Sequence, residues 1–138
     1  MNVAPFDRFP APPCAELLGA RVLEVRPEEG LIRMGFEGRR EFLNPAGFIQ
    51  GGILAAMLDD TMGPAVFGMT NGATYTVTID MTVSFLAPAK PGPITGEGRV
   101  VQLGKTIGFV EGKLMDADGV VLAKGTATAR LVASEKAL

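Results

Sequence analysis

Two adjacent carboxylates, Asp59 and Asp60, lie inside the most apolar stretch of the chain, NPAGFIQGGILAAMLDDTMGPAV (residues 44–66). A carboxylate taken out of water must find partners or give up its charge, so a pair placed here is costly. Around it Ile53, Leu54, Ala55, Ala56, Met57, Leu58, Met62, Ala65 and Val66 leave almost no polar face, which predicts a buried helix opening at Gly51-Gly52. A helix start presents unpaired N–H groups and the positive end of a dipole, where an oxyanion can be held. Glycines there let a reactant approach the backbone, and a carboxylate further along can serve as base or nucleophile. Residues three and four apart share a helix face. Asp59 is then flanked by Gly52, Ala55, Ala56, Met62 and Gly63, and Asp60 by the bulkier Ile53, Met57, Pro64 and Phe67. That spacing favours Asp59 as the acid with room for water or substrate, and leaves Asp60 to hydrogen bonding at a subunit contact.

Composition narrows the chemistry further. The 138 residues contain no histidine and one cysteine. Ser-His-Asp and Cys-His sites are therefore impossible, and the usual zinc sites are excluded. No metal and no cofactor is expected, since the scattered glycines match neither a phosphate-binding loop nor a dinucleotide fingerprint. Acid–base work falls to Asp, Glu, Lys, Tyr or water. A net charge of −2 offers no broad basic surface for nucleic acid. The longest apolar run, Ile53–Leu58, is far short of the roughly 18 residues that span a bilayer. MNVAPFDRFPAPP lacks a basic start and an apolar core, so a cytoplasmic protein is the expectation. Length and composition fit one domain, 1–138, with residues 1–13 irregular.

The elements that must position the acids follow from pattern. A short helix is expected near PCAELLG, then strands at 20–26 and 31–36 separated by RPEEG. The apolar helix runs from Gly51 towards Gly68–Gly72, and Pro64 should kink it because its ring removes a bond to the Asp60 carbonyl. Residues 74–85, TYTVTIDMTVSF, alternate without interruption. Tyr75, Val77, Ile79, Met81, Val83 and Phe85 are expected on the buried face of a long strand, with Thr74, Thr76, Thr78, Asp80, Thr82 and Ser84 on the other. Strands near 94–103, 105–116 and 120–132 are divided by LGK and DADG turns. One helix against an antiparallel sheet is an α+β layer arrangement.

That order, with Asn44, Gln50-Gly51-Gly52, Asp59, TIDMTVSFLAPAKPG and GKTIGFVEGKL, resembles the hotdog-fold acyl-CoA thioesterases of the phenylacetyl-CoA and 4-hydroxybenzoyl-CoA type. The likeness runs from about residue 17 to 132. It implies a six-stranded sheet wrapped around one long helix. It also implies thioester hydrolysis by a homo-oligomer, a dimer of dimers, in which the helix start of one subunit faces the carboxylate of another. By the same resemblance Asn44 helps to place the water and Gly51 offers its N–H to the thioester oxygen. Asp59 acts as base or nucleophile, and Thr78 supports the carboxylate or the water. Gly52, Met62, Lys105 and Thr106 fall at substrate-binding positions, and Met57, Met62 and Phe67 are expected to line the acyl pocket. Gln50 stands where many relatives carry His. Its amide can donate a hydrogen bond but cannot titrate.

Thioester hydrolysis needs no histidine. The leaving thiol has a pKa near 8.5 by analogy with cysteine, so it departs as a thiolate with little proton assistance. The expected activity is hydrolysis of an aromatic or medium-chain acyl-CoA. A non-catalytic acyl-CoA-binding protein and an enoyl-thioester hydratase share the fold, but the hydratases pair a carboxylate with a histidine. Each part also has a plainer meaning. Gly51-Gly52 alone could be a tight loop, and Asn44-Pro45 is a common turn start.

Overall fold

The computed structural model describes residues 4–138. Two short helices, α1 (Ala4–Asp7) and α2 (Pro13–Leu18), lead into the hairpin β1 (Arg21–Arg26) and β2 (Leu31–Gly38). The long helix α3 (Gly51–Met69) follows. Then come β3 (Thr74–Phe85), β4 (Gly92–Leu103), β5 (Ile107–Met115), β6 (Val121–Ala133) and the terminal turn α4 (Ser134–Ala137). The six strands form one sheet in the order β1-β2-β4-β5-β6-β3, every neighbouring pair antiparallel, with α3 packed against it. This is the expected hotdog architecture. The span expected to be irregular contains the single helical turn α1, and residues 1–3 lie outside the described residues. Helix α3 runs unbroken through Pro64 to Met69.

The chain makes each turn with the residues it needs. At 116–119, Asp116 Oδ1 accepts from the Asp118 and Val120 N–H groups, and Gly119 takes φ +82°. This is an Asx-type turn closed by a residue in left-handed backbone. The start of α3 is tied at two points. Ile49 N–H donates to Ala89 O and Gln50 N–H donates to Phe42 O, both at 2.8 Å, so the loops before the helix and after β3 are clipped together there.

What seats the helix is a row of glycines. Gly98, Gly112 and Gly125 are directly in register on β4, β5 and β6. A Cβ at Gly98 would stand 2.8 Å from the Thr61 carbonyl oxygen, and one at Gly112 would stand 2.8 Å from Met62 Cγ. One at Gly96 would overlap the Thr61 hydroxyl. The backbone of α3 therefore lies in a groove where the sheet has no side chains. Met57, Leu58, Thr61 and Met62, all at most 1% exposed, fill it. Thr61 is the one polar residue in this buried set, and its hydroxyl is satisfied by the Met57 carbonyl at 2.7 Å.

The long strand departs from the alternation expected of it. Register on β6 steps from Thr78↔Ala129 to Asp80↔Thr128, leaving Ile79 as an extra, unpaired residue. This bulge reverses the phase of the strand. Met81 and Val83 pack on the core as expected, but Tyr75, Val77 and Ile79 point outward and are 40%, 49% and 53% exposed. In their place Thr76 and Thr78 face α3, opposite Gly63 and Asp59. β3 is also an edge strand, its outer row of backbone groups unpaired within one chain.

The glycine row makes a direct prediction. Gly98→Ala drives a methyl group into backbone that cannot move aside, and overpacking of this kind costs about 1–3 kcal/mol. Gly52→Ala, where nothing lies within 4 Å of the added carbon, is neutral or stabilising by up to ~1 kcal/mol, as helix propensity dictates. Urea unfolding of the two variants measures both, and equal effects would show that the groove is not tight.

Candidate active site

Asp59 is exposed on the flank of α3 that faces β3, and Thr78 Oγ1 donates to Asp59 Oδ1 at 2.7 Å. The contact exists because the bulge at Ile79 turns the Thr78 side chain towards the helix. Close approach of strand and helix is made possible by Gly63, where an added Cβ would stand 3.0 Å from Thr76 Oγ1. The hydroxyl holds one carboxylate oxygen and leaves the other to face outwards.

Asp60 is in a different environment. Its Oδ2 is buried with no hydrogen-bond partner. Burial, and secondarily the neighbouring charge of Asp59, pushes its carboxyl up to about 6. The hydrogen-bonding role expected for Asp60 is thus not met by this oxygen within the chain. The two acids are distinguished by surroundings: one accessible and hydrogen-bonded, the other half-buried and reluctant to ionise.

At the other end of α3 the helix opens without a side-chain cap. Gln50 is the N-cap residue and is exposed. Among the described residues the Gly51 and Gly52 N–H groups have no hydrogen-bond partner. Asn44 sits beside them in a tight loop. Its Oδ1 accepts from Ala46 and Phe48 N–H at 3.0 and 3.1 Å, which fixes the side chain by its oxygen and leaves the amide N–H₂ to donate elsewhere. Asn44, Ile49, Gly51, Leu54, Phe85 and Leu86 border a cavity of about 350 Å³. Phe85, expected on the buried face of the long strand, is instead 54% exposed at the end of β3. The structure places its ring 3.3–3.7 Å from where a Gly51 Cβ would stand.

Of the remaining expected residues, Gly52 is exposed on the first turn of α3. Lys105 and Thr106 are exposed in the β4–β5 hairpin. The row Ile107↔Arg130↔Val77 puts that hairpin at the Thr78 end of the sheet, on the side of Asp59. Met62 is placed otherwise: it is 1% exposed and packs under Gly112, in the core and away from the cavity. Met57 and Phe67 are also buried rather than lining the cavity, Met57 in the core against the sheet and Phe67 against Phe6.

The two halves do not meet within one chain. Asp59 lies eight residues after Gly51, and at ~1.5 Å per residue the carboxylate is roughly 12 Å along the axis from the open N–H groups. A single thioester carbonyl cannot contact both.

Comparison with known proteins fits this geometry. A model of the thioesterase superfamily matches residues 46–123, which include the helix start, Asp59 and Thr78. The chain belongs to the thioesterase superfamily. Human acyl-coenzyme A thioesterase 13 is 32% identical over 113 residues, 80% of each chain. A Ralstonia eutropha protein described as phenylacetic acid degradation-related superposes with a TM-score of 0.85 at 33% identity, covering 92% of this chain and 96% of that one. A thioesterase family protein of Silicibacter pomeroyi gives 0.82 at 26% identity, covering 94% and 96%. As a superfamily member the protein is a thioester hydrolase. No helix among the described residues is long and apolar enough to cross a membrane.

The state of Asp60 has a measurable consequence. Its folded-state pKa, about 6, lies above the ordinary value of 3.8. The native state therefore binds the proton more tightly than the unfolded state, and stability falls as pH rises from about 4 to 6. Asp60→Asn removes that penalty. Thermal unfolding should show the variant more stable than wild type by about 1–2 kcal/mol at pH 7.5, discounted for partial exposure, with the gain vanishing near pH 4. A variant less stable at pH 7.5 would show that the carboxylate is satisfied in solution.

Proposed function

We infer that the protein hydrolyses acyl-CoA thioesters at a site shared between two copies, with Asp59 of one copy facing the start of α3 of the other. The supporting observation is the pair of complementary half-sites, a carboxylate oriented by Thr78 and a helix start with unpartnered glycine N–H groups. Their separation along one helix makes the second copy necessary, and the unpaired edge of β3 offers a place for it. The named activity of the human relative supports the choice of acyl-CoA.

In this arrangement the thioester oxygen lies against the Gly51 N–H, joined by the Gln50 amide. Negative charge developing on that oxygen is stabilised by the helix start. The Asn44 amide positions the water. Asp59 either takes a proton from that water as it adds to the carbonyl carbon or attacks the carbon itself, with water then releasing the acyl group. In both routes the C–S bond breaks and the thiolate leaves, its low pKa sparing the enzyme a general acid. Lys105 and Thr106, exposed at the Asp59 end of the sheet, are proposed to hold the CoA portion. A tetramer made of two such dimers is the proposed assembly, and the reading extends to one domain over the whole chain.

Free thiol released from a panel of acyl-CoAs tests the reading. Asp59→Asn keeps the shape of the carboxylate but can neither accept a proton nor attack, so kcat should fall by on the order of 10²–10⁴ with folding intact. Gln50→Ala removes one oxyanion donor and should lower kcat by on the order of 10². Asp60→Asn should stay within about tenfold of wild type. A reversal of the two aspartates would overturn the assignment. A wild type that binds acyl-CoA without releasing thiol would make it a binding protein.

A further inference from the structure

Phe85 is a large aromatic side chain left 54% exposed in the single chain beside the proposed oxyanion site. Its backbone is firmly held, paired with Ala123 on β6 and followed by Leu86 N–H donating to Leu122 O at 2.8 Å. The strand end therefore delivers the ring to a fixed place. That place is directly against the first turn of α3, with ring carbons 3.3, 3.4 and 3.7 Å from the position of a Gly51 Cβ. A side chain larger than hydrogen at position 51 would meet the ring, so Gly51 and Phe85 define one wall together.

The cavity they share has about 350 Å³. Asn44 and Gly51 bring polar groups to its lining. Ile49, Leu54, Phe85 and Leu86 make the rest apolar. A thioester whose oxygen rests on Gly51 has its acyl group directed along this apolar wall. The volume lies near the lower end of the roughly 300–1,000 Å³ typical of small-molecule sites, which suits a compact acyl group, straight or carrying one aromatic ring. Aromatic rings gain beyond simple burial when packed edge-to-face or offset on another ring.

We propose that Phe85 is the specificity-determining residue of this enzyme, its ring closing the acyl pocket against Gly51 and selecting compact aryl or medium-chain acyl groups over long ones. The proposal rests on the thioesterase reading and deepens it. It requires that the acyl group touches Phe85, while Asp59 of the second copy acts on the carbonyl held at Gly51.

The test is a kcat/KM profile over straight-chain acyl-CoAs from butanoyl to hexadecanoyl, with phenylacetyl-CoA added, for wild type, Phe85→Ala and Phe85→Leu. Hydrophobic pockets discriminate about 10- to 200-fold per methylene. Phe85→Ala should therefore lower kcat/KM on the best wild-type substrate by at least about tenfold, mainly through KM, and move the optimum to longer chains. Phe85→Leu, which keeps apolar bulk at the strand end, should shift the optimum by less, and circular dichroism confirms that both variants are folded. An unchanged profile in both variants with wild-type turnover intact overturns the role of Phe85 and leaves the thioesterase reading standing. A wild type that hydrolyses no member of the panel overturns that reading and this proposal with it.

Discussion

The approach of α3 to a stretch of sheet without side chains governs the rest of the molecule. Gly98, Gly112 and Gly125 stand abreast on three strands, with the Thr61 backbone of α3 against Gly98, the Met62 side chain against Gly112 and the Leu58 side chain near Gly125. A side chain at Gly98 would press on the helix backbone and push it off the sheet. A lifted helix would carry Asp59 away from Thr78 and the open N–H groups away from the loops that flank them. The hydrogen bond of 2.7 Å between Thr78 and Asp59 is short enough that such a shift would break it. Packing and the geometry of the candidate site therefore depend on the same contact.

Seating the helix this deeply creates an electrostatic asymmetry between neighbouring acids. Asp59 lies on the rim of the groove, where solvent and a hydroxyl serve its charge. Asp60, one residue on, is rotated about 100° towards the protein and has an oxygen that no donor reaches. Thioester chemistry suits this arrangement, because it needs one ionised carboxylate and no general acid for the thiol.

Much of this was legible in the residues. The apolar run around Asp59 and Asp60 marked the central helix to within a residue at its start, and the turn signals at RPEEG and DADG divided the strands correctly. The bulge was not legible. TYTVTIDMTVSF alternates perfectly, and the phase reverses only because pairing with β6 leaves Ile79 over, a long-range fact that no local pattern carries. The consequence matters, since threonines rather than Tyr75 and Val77 face the helix, and one of them reaches Asp59. Register also hid the glycine row, whose members lie far apart in sequence. Met62, three residues after Asp59, looked like a neighbour of the site. A helix turn of 100° per residue carries it round to the sheet, where Gly112 makes room for it. Phe85 went unnoticed because nothing local says that a strand's last residue ends on a helix start.

On the proposed function, each site takes its carboxylate from one copy and its helix start from another. Subunit mixing tests it most directly. Asp59→Asn and Gly51→Val chains, each inactive when assembled alone, are co-expressed with different tags and the mixed assemblies purified. In a two-fold pair one site then carries both substitutions and the other carries neither, so mixed dimers should regain roughly half of wild-type activity. Mixed assemblies verified by both tags yet still inactive would mean that each chain builds its site alone, and would contradict the account.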